Sequence, residues 1–235
     1  MLSPVLFVAF LGGLLPALLW LTFWLMEDRC EPEPKRYIFF CFVAGMLAVA
    51  FVLPVERFAQ SWALSWGYAP TGPLVLFLWA LAEELFKFAA AYLVALRARV
   101  FDEPLDAVMY LVTAALGFSA AENMLFLLHP LQTGSILQTV ITGDLRFIGA
   151  TLLHTVASAT IGITLAFAFY QSAHVRRLAA LLGVILAVML HTLFNFFILG
   201  TGSGATFWIF LVIWLGVIVV LLMVERVKRP AKDYC

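Results

Sequence analysis

Charge is scarce in this chain. Asp, Glu, Lys and Arg make up 12% of its 235 residues, and the two signs cancel to a formal net charge of zero. No basic surface for nucleic acid is implied. Cysteine is scarce too: there are three, at scattered positions, with no CxxC. That spacing supports no disulfide framework. Internal repeats, low-complexity linkers, alternating strand patterns and an HExxH zinc motif are all missing. The lack of alternation excludes a membrane β-barrel. The amino-terminal apolar run has no basic region before it and is too long for a signal peptide. It reads as an uncleaved first span with its amino end outside.

What the chain has is apolar surface. Hydrophobic residues make up 64%, with 22 Phe and 7 Trp, and the mean hydropathy is +1.04. Roughly half apolar is usual for a soluble domain. The expected fold is therefore all-α: a polytopic transmembrane helical bundle of about seven spans, forming one integral membrane domain over residues 1–235 with a motif-bearing core of about 73–200. A span needs about 20 apolar residues. The candidates are Pro4–Met26, Tyr37–Pro54, Pro73–Leu96, Leu105–His129, Leu145–Gln171, Val175–Gly200 and Ala205–Val224. Basic residues concentrate in every second connection: Arg29, Lys35 and Arg36; Arg97 and Arg99; Arg176 and Arg177; then Arg226, Lys228, Arg229 and Lys232. The intervening connections hold only Arg57 and Arg146. The positive-inside rule then places the amino terminus outside and the carboxyl terminus inside. Cys30 and Cys235 fall on the inner, reducing side. Trp62, Trp66 and Tyr68 suit a segment from Glu56 to Gly72 lying along the outer surface. The stretch Pro130–Asp144 reads as a polar outer loop.

Two adjacent glutamates, Glu83 and Glu84, interrupt the third run. Intramembrane carboxylates cost about 2.5–3.5 kcal/mol on translocon scales and mark functional sites, with partners expected at the same depth. At about 1.5 Å per residue, Glu83 lies ~15 Å below the outer end of its span, Glu122 ~10 Å, and His154 and His191 ~13 Å. Four helices thus deliver carboxylate and imidazole groups to one layer in the outer half of the membrane. Lys87 follows Glu83 by four residues and Glu84 by three, so it can reach either along the helix. Asn195 follows His191 by four and shares its face, placed to orient the imidazole or hold an oxyanion. Asn123 directly follows Glu122, and Arg146 opens the fifth span.

Singly, a membrane histidine or asparagine is more often glue between helices than a catalyst. Together, these residue types fit hydrolysis. Glutamate can take a proton from water, histidine can polarise a carbonyl or protonate the leaving amine, and asparagine can hold the oxyanion. Equally, one or two glutamates and two histidines can hold Zn²⁺ with an open position; if a metal is present, the expected ligands are Glu84, His154 and His191. The sequence does not choose between metal-bound and metal-free routes. Other classes that use such a layer are a proton-coupled transporter, a haem protein with two axial histidines, and a non-catalytic membrane scaffold.

Glu83-Glu84-Leu85-Phe86-Lys87 fits EExxK, Gly117-Phe118 with Glu122-Asn123 fits GFxxxEN, and His191 to Asn195 fits HxxxN, with His154 between. In that order on successive helices, over about Leu81 to Asn195, the chain resembles the PrsW family of intramembrane proteases. That family is related to the CAAX prenyl endopeptidases and to the scaffold subunit of gamma-secretase. The resemblance implies an enzyme of a bacterial or archaeal cytoplasmic membrane that cuts a membrane-anchored protein near its extracytoplasmic side. In the family's best-known case the substrate is an anti-sigma factor and the cut opens regulated proteolysis. It also implies Glu83, Glu84, His154 and His191 as catalytic residues and Glu122 as a further site residue; the spacing adds Lys87, Asn123 and Asn195 in support. The mechanism it implies is of metallo- or glutamic type.

Overall fold

The computed structural model describes residues 4–28, 31–200 and 206–228. Arg29, Cys30, Arg229, Lys232 and Cys235, read above for topology, lie outside the described residues. The described chain is helical and without strands: α1 (Pro4–Glu27), α2 (Lys35–Ser65), α3 (Pro73–Ala91), α4 (Pro104–Gln132), α5 (Ile136–Leu145), α6 (Thr151–Phe167), α7 (Ala173–Gly200) and α8 (Thr206–Lys228). Short π-helical turns, Tyr92–Leu96 and Arg146–Ala150, follow α3 and precede α6. This is a polytopic all-α membrane bundle.

Six segments are long and apolar enough to cross a membrane: α1, α2, α4, Ile136–Phe167, Ala173–Leu199 and Phe207–Lys228. The remaining expected span, the third, is α3, which differs in composition because Glu83, Glu84 and Lys87 sit within its 19 residues. With its π-turn it is about 36 Å long, enough for the hydrocarbon core. Two boundaries differ from expectation. The second span does not stop at Pro54 but continues to Ser65, as membrane helices tolerate internal proline where neighbours re-satisfy the backbone. The outer loop after Pro130 is in large part α5, whose Ser135 side chain accepts the Gln138 N–H at its start.

Helix α4 is the hub. From Leu105 to Ala120 every residue is buried, as expected of a helix apolar all round. It packs on α1, α2 and α6, and small residues set how closely. A Cβ on Gly45 of α2 would strike the Ala114 carbonyl, and one on Gly117 of α4 would strike the Phe42 carbonyl. This reciprocal pair puts the α2 and α4 backbones in direct contact, the membrane mode of close helix approach. In turn α6 packs on α7 and α8, and α2 on α3.

Helix α4 begins with a capping box, Glu103 and Asp106 each bonding the other's backbone, with Pro104 as first residue. At the same end, the Tyr110 hydroxyl donates to Glu33. Burial, with Asp106 alongside, pushes the Glu33 carboxyl up to about 9, and burial raises Asp28 to about 6. Lys228 ties α8 to α1 through Glu27 at 2.6 Å.

Candidate active site

At the other end of the bundle, a cavity of about 400 Å³ opens between α2, α3, α4, α6 and α7. Its walls are mostly apolar, including Val52, Leu76, Phe118 and Phe194, and its polar groups are Glu56, Glu83, Glu122, Arg146, His154, His191 and Asn195. The residues at a shared depth are therefore also neighbours in space.

The contacts fix the state of each ring. His191 Nδ1 lies 2.7 Å from Glu84 Oε1. A carboxylate can only accept, so Nδ1 carries a proton, and in the neutral ring the lone pair is on Nε2. His154 Nε2 lies 2.8 Å from Glu122 Oε2, while its Nδ1 lies 2.9 Å from Lys87 Nζ. An ammonium can only donate, so His154 is neutral with its lone pair on Nδ1. Both lone-pair nitrogens face one oxygen. Glu83 Oε2 is 3.7 Å from His154 Nδ1 and 3.8 Å from His191 Nε2. That oxygen is buried and makes no hydrogen bond. Lys87 pairs with Glu84 at 2.6 Å, both wholly buried. The two glutamates are thus distinct in environment: Glu84 gives Oε1 to a cation and an imidazole, with its Oε2 unpaired, whereas the unpaired Oε2 of Glu83 is the one that faces both histidines.

Glu122 Oε2 also accepts from Arg146 at 2.6 Å. Arg146 donates through Nε to Asn123 Oδ1, and its guanidinium stacks 3.9 Å from the Phe126 ring centroid. Asn123 donates to Thr151 Oγ1 at 3.0 Å and Ser119 Oγ at 3.2 Å. The Thr151 hydroxyl reaches back 3.0 Å to the Arg146 carbonyl, across the π-turn that begins α6. Wide turns of this kind recur at functional sites. Here the turn brings Arg146 back over Glu122. Asn195 lines the cavity, half-buried, and the carboxylate bonded to His191 is that of Glu84.

The described residues contain one group of metal-ligand atoms within 4.8 Å of one another, from Glu83, His154 and His191. Glu83, and not the Glu84 of the expected set, is the carboxylate in that group; Glu84 stands behind His191. Two imidazoles with lone pairs toward a common point, each donating its far N–H to a carboxylate, match the usual outer shell of a metal-bound histidine. The residues fit a zinc ion. A haem sandwiched between the histidines does not fit, because their rings meet edge to face with centroids 5.2 Å apart.

Two participants escaped the sequence reading. Glu56 joins the cavity because α2 runs past Pro54, and Trp79 Nε1 holds its carbonyl at 3.1 Å. Trp79 lies four residues before Glu83, so the two share a face; that spacing was the available signal. The Ser119–Thr151 pair had none, since hydroxyls in membrane helices are common.

The family model described as "PrsW family intramembrane metalloprotease" matches residues 33–224. The chain belongs to the PrsW family. Several proteins named Protease PrsW are similar to it. The one from Geobacillus kaustophilus is 31% identical over 118 residues, 50% of this chain and 51% of that relative. The one from Clostridioides difficile is 25% identical over 81% of this chain and 79% of its own. That from Oceanobacillus iheyensis is 26% identical over 82% and 83% respectively. No solved structure matches significantly. As a PrsW family member, the chain is an intramembrane peptidase of a bacterial membrane, and the cavity is where its ionisable groups meet.

Proposed function

We propose that this chain is an endopeptidase that cuts a single-pass, membrane-anchored protein near the extracytoplasmic side of the membrane. The substrate class is that of a regulatory protein such as an anti-sigma factor, and the cut is the first of a series. One observation carries this reading: a buried carboxylate oxygen without a hydrogen bond, on Glu83, faces the lone pairs of two imidazoles in a cavity that opens at one end of the bundle. By the placement of basic residues, that end is the outer one.

Glu83 Oε2, His154 Nδ1 and His191 Nε2 would hold a zinc ion. When bound, the metal supplies Lewis acidity and a water acidic enough to attack near neutral pH. The chain's own residues supply the rest. Glu84 fixes the His191 ring and supports positive charge on it, as the buried acid of a catalytic triad does. Glu122 does the same for His154. In the metal-free route His191 Nε2 accepts a proton and delivers it to the leaving amine; with a metal held there, that lone pair would be committed to the ion. Asn195, one turn beyond His191, offers its amide to the developing oxyanion. The apolar wall keeps bulk water out, which strengthens each of these interactions. Glu83 Oε2 serves the attacking water in either route, as a metal ligand or as the direct acceptor of its proton.

The test is cleavage of a single-pass anti-sigma reporter in membranes. Glu83→Gln, Glu84→Gln, His154→Ala and His191→Ala are each expected to abolish cleavage while the protein accumulates. Wild-type rates in all four would overturn the reading. A wild-type chain that cuts no such reporter would point to a scaffold or transporter using the same polar layer.

A further inference from the structure

Lys87 touches the proposed metal site at the atom a metal would need. Its ammonium is wholly buried, 2.6 Å from Glu84 Oε1, and 5.1 Å from the Phe118 ring centroid. It is also 2.9 Å from His154 Nδ1. The other ring nitrogen of His154 is held by Glu122, so Nδ1 is its one free lone pair, and the ammonium is hydrogen-bonded to it. A lone pair cannot serve an N–H donor and a metal at once. Two positive charges sharing one imidazole in a low-dielectric interior also repel strongly.

We propose that Lys87 and the metal ion are alternative occupants of the His154 Nδ1 lone pair, so that Lys87 is a positioning residue that sets how readily the site loads. With Lys87 on Nδ1, His154 stays oriented and neutral, and the protein carries its own cation among three carboxylates. Loading moves the ammonium off the ring, and Glu84 and the Phe118 face retain it. Lys87 therefore lowers apparent metal affinity, and reciprocally a bound metal weakens the Lys87–His154 contact. The inference rests on the metal reading of the proposed function. It explains why a lysine sits beside the ligands at all: a counter-ion for Glu84 alone has no need to reach 2.9 Å from a second helix's imidazole.

The experiment is titration of the purified full-length chain with Co²⁺, followed by its visible absorption and by competition with a chelator. Wild type is expected to bind, and Glu83→Gln and His154→Ala to lose at least about 100-fold in affinity as first ligands go. Lys87→Met is expected to bind about tenfold more tightly, the worth of one charge-assisted hydrogen bond. Lys87→Arg, which restores a donor, should return toward wild type. Because Lys87→Met leaves Glu84 buried without its cation, the neutral pair Glu84→Gln/Lys87→Met, compared with Glu84→Gln alone, is a second test with the same expected direction. Unchanged or weaker Co²⁺ binding in both overturns the inference, even while loss in Glu83→Gln upholds the metal reading. No binding by any form, wild type included, overturns both.

Discussion

Glu122 holds two groups on one oxygen, the Arg146 guanidinium and the His154 imidazole. The guanidinium fixes the carboxylate, and the carboxylate fixes the ring. Outer-shell partners of this kind typically change activity or metal affinity by about 10–100-fold when removed. Arg146→Met is therefore expected to lower the cleavage rate by about that factor with the protein still accumulating. Glu122→Gln, whose amide oxygen can still accept from His154, should cost less than Glu122→Ala. Rates on the single-pass reporter check both; equal, wild-type rates in Arg146→Met and Glu122→Ala would exclude the chain of support. At this scale much was legible beforehand. The spacing of Lys87 from the glutamate doublet predicted an ion pair, and helix geometry brought His191 and Asn195 to one face. What spacing could not decide was which glutamate takes Lys87. That choice depends on His191 arriving from another helix to share Glu84 Oε1, with Glu83 left to face the opposite nitrogen of the same ring. Glu56 was missed because Pro54 read as a helix end.

The elements hold these side chains in register through backbone contact. Gly45 and Gly117 meet as a reciprocal pair between α2 and α4, each facing a carbonyl of the other helix. No flexible side chain stands there to move aside. A methyl at either position forces the helices apart, and overpacking of this kind costs about 1–3 kcal/mol. Gly117→Ala is expected to lower the melting temperature of the purified protein, and Gly45→Ala to do likewise. A double variant should lose less than the sum, since the first separation accommodates the second methyl. Gly117 lies between the two ends of α4, five residues before Glu122, so cleavage should fall along with stability. Small-residue stretches in the sequence announced close packing, but not the partner helix. The π-turn at Arg146–Ala150 had no signature either. It follows from the Thr151, Asn123 and Ser119 contacts, which are tertiary. The sequence reading began the span at Leu145, next to the true junction, because hydropathy registers apolar length and not the route of the backbone.

For the whole molecule the chain's poverty in charge is informative, because the few charged clusters among the described residues mark its two ends. The carboxyl cluster of Asp28, Glu33, Glu103 and Asp106 and the Glu27–Lys228 pair lie at one end of the bundle, and the cavity holding Glu83, His154 and His191 opens toward the other. If the end bearing Lys35, Arg36, Arg97, Arg99, Arg176 and Arg177 faces the cytoplasm, the cavity opens outside. A cut is then made beyond the substrate's membrane segment and releases its extracytoplasmic part. That orientation makes a concrete prediction about accessibility. A tag placed before Met1 should react with an impermeant reagent on intact cells, and a tag after Cys235 should react only once the membrane is opened. Both tags on one side would require an even number of crossings, and α3, the charged helix, would then be the one that fails to cross. In that case Glu83 and Glu84 would approach the site from a re-entrant segment, and the side of cleavage would have to be assigned anew from the product ends.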